Sequence, residues 1–373
     1  MIFNPSQPEK VIADQAALEH ILPELSAGPY LAVDTESNSL FAYKEQVCLI
    51  QFTTKTTDYL IDTTADLDLG CLHALFSDPK LEKIFHAAEY DVMCLRRDFG
   101  FEFNALFDTM QAARILGFKK LGLSKMLEDQ FKIDPVKSFQ KANWGKRPLT
   151  PKMRLYARLD THYLIPLRER LEKQLRKNGL LELAQEDFER LCKAENNHHD
   201  APLYTQVSGY HHLSQRQLAV LDALCRYRDA QAAKMDRPLF KVISARALYA
   251  LAENPPQSLD ALKQINDLSP RLVSRYGQGL LDAIHKGMRA PLIVLPKHTR
   301  PSRDYVDRVD NLKMWRKNKG KKMGVQSDIV LPKDILEDIA GSHPTNTADL
   351  KAVMKDVPWR FEQYSKEILQ VIG

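Results

Sequence analysis

Tyr30-Leu31-Ala32-Val33-Asp34-Thr35-Glu36 decides how this chain is read. Four apolar residues in a row mark a buried strand, and two carboxylates follow at its end. Side chains two apart on a strand share a face, so Asp34 and Glu36 project together from a rigid edge. Carboxylates held that close repel each other unless a cation lies between them. Taken alone, the pair reads either as a solvated strand end or as one half of a divalent-metal site. Around it, strand and helix signals alternate. Val47–Phe52 and Tyr59–Ile61 predict strands, Lys83–His86 a short strand, and 88–98 a helix. Leu106-Phe107 is a further apolar island, and Thr109–Leu116 and Leu123–Phe131 predict helices. This mixture predicts an α/β fold with helices covering a sheet. The short connections between residues 33 and 61 make the first strands antiparallel neighbours.

Three residues supply the other half of the site. Asp91 follows the strand at Lys83–His86, on the first turns of the next helix, near a strand's C-terminal end where α/β sheets place sites. Tyr156 and Asp160 lie four apart on a predicted helix, a spacing that brings Cβ atoms to about 5–6 Å on one face. Two cations about 3.5–4 Å apart can stabilise both the attacking and the leaving oxygen of a phosphodiester. Magnesium and manganese prefer such oxygen ligands. A phenol beside a carboxylate suits the placing of a water.

From Thr150 the chain becomes helical. Thr150 suits an N-cap and Pro151 a first helical turn. Pro166 predicts a kink or break, and Asn178-Gly179 a stop. Residues 195–210 are polar and read as a linker, with His198, His199, His211 and His212 as exposed histidines rather than metal ligands. Beyond residue 211 the sequence repeats itself at an offset of 88. Leu224 and Arg228 match Leu312 and Arg316; Leu248 and Ala252 match Leu336 and Ala340; Tyr276 and Ile284 match Tyr364 and Ile372. Two tandem helical modules follow from this. Between Lys286 and Lys322 there are twelve Lys or Arg against three Asp. The densest run, Arg316 to Lys322, suits phosphate contact through Lys317, Lys319 and Lys321 or simply a solvated helix end.

The 373 residues predict two or three domains. A hydrophobic content of 44% and charged content of 27% are those of a soluble globular protein. Five scattered cysteines without a C-x-x-C pair fit a reducing, cytoplasmic setting and argue against a zinc site. No membrane span, secretory signal or Walker loop appears, so neither a membrane nor a nucleoside triphosphate is an expected partner. A net charge of +5 is compatible with nucleic acid.

These motifs resemble a known family. Val33-Asp34-Thr35-Glu36, His86-Ala87-Ala88-Glu89-Tyr90-Asp91 and Tyr156-Ala157-Arg158-Leu159-Asp160 are similar to the three exonuclease motifs of the DEDD superfamily, tyrosine subclass. Leu106-Phe107-Asp108-Thr109, Gly122-Leu123-Ser124, Asn143-Trp144 and Arg147-Pro148-Leu149 resemble ribonuclease D and its nuclear-exosome relative. Residues 212–284 resemble the HRDC domain, and residues 300–373 a more divergent copy. The resemblance implies a ribonuclease-H-like α/β exonuclease domain (1–195), a linker (196–210), an HRDC domain (211–290) and a second HRDC-like module (291–373).

It also implies a 3′→5′ exoribonuclease that releases nucleoside 5′-monophosphates from tRNA or other stable RNA precursors; the multidomain chain is expected to act as a monomer. Two Mg²⁺ or Mn²⁺ ions are its implied cofactors. Asp34, Glu36 and Asp160 would bind one cation. Asp34 would bridge to a second, on which Asp91 acts, and Tyr156 would orient the attacking water. Thr35 would lie nearest the terminal ribose. His86 is read as structural yet within reach of RNA. Trp144, among Lys137, Lys141, Lys146 and Arg147, is read either as core or as an RNA-stacking residue; Phe41 and Tyr43 raise the same question. Asp108 reads as a helix cap and Asp62 as a turn residue. A DNA exonuclease with the same chemistry, or a catalytically silent nucleic-acid scaffold, stays open at this point.

Overall fold

The computed structural model describes residues 7–133, 139–195, 201–296 and 300–373. They form two compact units that do not follow chain order. One combines residues up to 37, 47–195 and 300–373; the other combines 38–46 with the helical region that ends before residue 300.

The first unit is built on a six-stranded sheet. Its strands are β1 (Glu9–Ile12), β2 (Tyr30–Ser37), β3 (Val47–Thr53), β4 (Asp58–Asp62), β5 (Glu82–Phe85) and β6 (Leu106–Asp108), in the order β1-β4-β3-β2-β5-β6. β3 runs antiparallel to both β2 and β4, as the short connections require, and the other pairs are parallel. All seven residues of β3 are buried, so it is the central strand that its apolar sequence predicts. β1 carries only two apolar residues in Glu9-Lys10-Val11-Ile12, too few for the alternation that signals a strand; pairing with β4 holds it at the edge.

Helices α1 (Gln15–Ser26), α2 (His73–Ser77), α3 (Glu89–Phe99), α4 (Thr109–Ile115), α5 (Leu123–Phe131), α6 (Pro151–His162), α7 (Leu164–Lys177) and α8 (Leu181–Cys192) flank the sheet. Phe76 stacks on Phe101 at 4.8 Å within the core. Gly100 ends α3 in the left-handed conformation, where its missing Cβ avoids a clash. Thr150 caps α6 by accepting from the Met153 N–H, with Pro151 in the first turn. The predicted break comes at Tyr163, where α6 gives way to α7. Pro166 lies in the first turn of α7, where its lack of an N–H costs nothing.

In the second unit α9 (Gln215–Met235), α10 (Leu239–Val242), α11 (Ala245–Glu253), α12 (Leu259–Lys263) and α13 (Pro270–Arg289) surround one apolar core. α13 crosses α9 so closely that a Cβ on Gly287 would lie 2.8 Å from the Ala219 carbonyl oxygen. Residues 201–210 are not a loose linker: Val207 is buried, and Leu203, Tyr204 and Tyr210 pack on this core. His211 and His212 are exposed with rings 4.0 Å apart, and His198 and His199 lie outside the described residues. Phe41 lies under the Lys241 ammonium at 4.2 Å. Tyr43 donates its hydroxyl to Asp229 Oδ1 at 2.8 Å and its N–H to Asp236 Oδ1 at 3.0 Å.

The second helical copy comprises α14 (Arg303–Met323), α15 (Ser327–Val330), α16 (Lys333–Ser342), α17 (Thr347–Val353) and α18 (Pro358–Ile372). Each helix begins 88 residues after its counterpart, as Gln215 to Arg303 and Pro270 to Pro358 show. The internal bonds repeat as well. Arg228 donates to the Ile243 carbonyl and Arg316 to that of Leu331. Tyr276 reaches Met235 Sδ, and Tyr364 reaches Met323 Sδ. Unlike the first copy, this one shares a compact unit with the sheet domain. Arg360 on α18 is fully buried and pairs with Glu186 and Asp187 on α8.

Candidate active site

Three carboxylates converge where β2 meets α6. Asp34 and Glu36 leave the same face of β2, while Asp160 comes from α6. Each offers an oxygen, and the three oxygens lie within 4.8 Å of one another. The placement of α6 rests on buried polar contacts that frame Asp160. Arg158 and His162 both bind Asp58 on β4, His162 through Nδ1 at 2.9 Å. Thr161 meets Thr53 of β3 at 2.8 Å, hydroxyl to hydroxyl. Asp58, Arg158 and His162 are functional supports that the sequence reading passed over. The signal lay in Arg158 and His162, two hydrogen-bonding side chains four apart on either side of Asp160.

Asp91 lies on the first turn of α3 and accepts a hydrogen bond from the Thr35 hydroxyl. The turn before α3 is held from β6. Asp108 accepts from Ala87 N–H at 3.1 Å and Ala88 N–H at 2.8 Å, and also from Met110 and Gln111 at the start of α4. Ala87 has a φ of 68°, an unfavourable conformation for a residue with a Cβ; the Asp108 carboxylate holds it there. Asp108 thus caps a helix, as expected, and shapes a second one. Tyr156 is buried beside Asp160 and packs against Trp144 at 6.0 Å between ring centroids.

Burial and mutual repulsion make these acids reluctant to ionise. Burial, then the charges of Asp91, Asp160 and Glu36, push Asp34 well above the usual carboxylate range. Burial, then Asp160 and Asp91, raise Glu36 to about 9. Burial raises Asp91 and Asp160 to about 7 each, although hydrogen bonds from Thr35 and Tyr156 pull the other way. Burial, then the neighbouring carboxylates, also push the Tyr156 phenol up. Such a donor set, all oxygen and anionic only at a cost, fits divalent cations, whose charge removes that cost.

Other expected site residues serve the fold. Trp144 is 1% exposed inside an apolar cluster with Tyr156, Cys48 and Leu60, so it is core and cannot stack on a base. The Arg147 guanidinium is taken by Asp62 at 2.5 and 2.6 Å and by the Cys48 carbonyl at 2.7 Å, so it is not available to phosphate. Asp62 is accordingly an ion-pair partner and more than a turn residue. His86 Nδ1 meets the Thr109 hydroxyl at 2.9 Å, and burial holds the ring's pKa down. On α14, Lys317 and Lys321 are exposed, whereas Lys319 pairs with Glu367 at 2.7 Å and lies over the Tyr364 ring.

Residues 10–176 match the 3′-5′ exonuclease family, and residues 217–284 and 306–372 each match the HRDC domain. Ribonuclease D of Pseudomonas paraeruginosa is 30% identical over 97% of this chain and 96% of its own. The chain belongs to the ribonuclease D family. That membership makes it an exoribonuclease by class. Protein RRP6-like 2 of Arabidopsis thaliana is 29% identical over 76% of this chain, which spans only 34% of that longer relative. The crystal structure of Escherichia coli RNase D shares the fold, with a TM-score of 0.73, 23% identity and 98% of both chains covered. Among the described residues of this ribonuclease D family member, no helix is long and apolar enough to cross a membrane.

Proposed function

We propose that this protein removes nucleotides one at a time from single-stranded 3′ ends of structured-RNA precursors and releases nucleoside 5′-monophosphates. The observation that carries the reading is the convergence of Asp34, Glu36 and Asp160 within 4.8 Å, each reluctant to ionise without a cation. Two bound Mg²⁺ or Mn²⁺ ions would supply Lewis-acid activation of water and charge stabilisation at the phosphate. Asp34, Glu36 and Asp160 would hold one ion, and Asp34 with Asp91 would hold the other. Tyr156 positions the attacking water through its hydroxyl. A water oxygen–phosphorus bond forms, the bond from phosphorus to the 3′-oxygen of the penultimate nucleotide breaks, and that oxygen takes up a proton. Thr35 fixes Asp91 through its hydroxyl. The exposed Lys317 and Lys321 hold the body of the RNA.

Matched RNA and DNA oligonucleotides with 3′-hydroxyl or 3′-phosphate ends, incubated with Mg²⁺, Mn²⁺ or EDTA, test this. Stepwise release of 5′-monophosphates from 3′-hydroxyl RNA, abolished by EDTA and by Asp160→Asn, is the expected result. Internal fragments, preference for DNA, or hydrolysis that survives EDTA would overturn it.

A further inference from the structure

Gln51 sits in the middle of β3 and is completely buried. Among the described residues, neither its Nε2 nor its Oε1 has a hydrogen-bond partner. Buried amides are nearly always paired, because stripping one of water without replacement is costly. An amide in this state points to a contact that forms only when a nearby site is loaded.

Strand register locates that site. Gln51 lies directly opposite Asp34 on β2, and residues directly opposite share a face of the sheet. Its neighbours on that face of β3 are Leu49 and Thr53. Leu49 clusters with Tyr156 and Ala157, and Thr53 bonds Thr161. Gln51 therefore lies beneath α6, beside Asp34 and the turn that carries Asp160.

We propose that Gln51 is a positioning residue of the cation site. With cations bound, its Nε2 hydrogens go to carboxylate oxygens of Asp34 and Asp160 that the cations leave free, contacts that the protein alone does not make. The chemistry suits an amide. Ionised carboxylates accept hydrogen bonds and donate none. Lys or Arg at position 51 would supply donors, yet its charge would compete with the cations. Glutamine supplies donors without charge. This inference rests on the proposed cation site, and its test separates the two.

Mn²⁺ binding to the full chain is measured by calorimetry for the wild type, Asp160→Asn, Gln51→Met and Gln51→Glu, together with the melting temperature with and without Mn²⁺. Methionine keeps the shape of glutamine and removes its donors. Gln51→Met should melt no lower than the wild type without cation, yet bind Mn²⁺ about 10-fold more weakly. Gln51→Glu adds a carboxylate at the same place, so its melting temperature should fall at neutral pH and recover with Mn²⁺. Wild-type affinity in Gln51→Met would overturn the role of Gln51, as would a Gln51→Glu defect that Mn²⁺ leaves uncorrected. Wild-type protein that binds no Mn²⁺, or binding that survives Asp160→Asn, would instead overturn the cation site itself.

Discussion

Glu186 and Arg360 meet across 174 positions of sequence, and each completes the other's surroundings. One Glu186 oxygen pairs with the Arg360 guanidinium. The other accepts the N–H groups of Trp359 at 2.7 Å and Arg360 at 3.3 Å, and so caps α18 from a different helix. Asp187 pairs with the same guanidinium at 2.8 Å. Removing one partner of a buried pair costs about 3–5 kcal/mol, because the charge left behind stays buried. Arg360→Leu, which installs the residue found at the matching position of the first copy, Leu272, should destabilise the first unit by about that amount. Urea unfolding would measure it; a loss under about 1 kcal/mol would mean that the acids escape to water.

The acid cluster makes stability depend jointly on pH and cations. Asp34, Glu36, Asp91 and Asp160 ionise less readily in the fold than in the unfolded chain. Without cations, their effect is absent below about pH 4. It then grows destabilising as pH climbs through 7 toward 9, where the unfolded chain has released protons that the fold retains. Mn²⁺ should offset the effect. The gap in melting temperature between Mn²⁺-loaded and EDTA-treated protein should therefore widen from pH 5 to pH 9. A gap independent of pH would contradict the cluster's role.

Thr35→Val removes the hydroxyl that holds Asp91 and keeps the β-branched shape that suits β2. The apparent Mn²⁺ requirement for nucleotide release should rise about 10-fold, with Thr35→Ser close to wild type. Equal cation requirements in Thr35→Val and wild type would show that Asp91 needs no such support.

The three lysines of α14 should not behave alike. Lys317→Ala with Lys321→Ala should weaken RNA binding uniformly across sequences and reduce the slope of log affinity against log salt by about 1.4. Lys319→Ala should change that slope little, because its ammonium is committed to Glu367. Fluorescence anisotropy over a salt series reads both.

Much of this was legible in the residues. The paired carboxylates, the strand order near them and the 88-residue repeat all reflect local periodicity, and local periodicity survives folding. What escaped notice depended on contacts between distant segments. Trp144 and Arg147 sit among lysines in sequence, yet the first is core and the second is claimed by Asp62 on β4. Nothing within a few residues of either announces that outcome. β1 escaped because its pairing with β4, rather than its own pattern, makes it a strand. Residues 201–210 looked polar because their few apolar anchors are spaced irregularly around turns.

The strap from Asn38 to Gln46 has a consequence for how the chain is made. It leaves β2 at Ser37, rejoins the sheet at Val47, and is held by Asp229 and Asp236. During synthesis β2 and β3, the two strands that flank the strap, emerge long before those anchors. The strap must wait for some 190 further residues to appear before it can settle. A recombinant chimera that exchanges the first helical module with a relative's would therefore have to carry these nine residues with it.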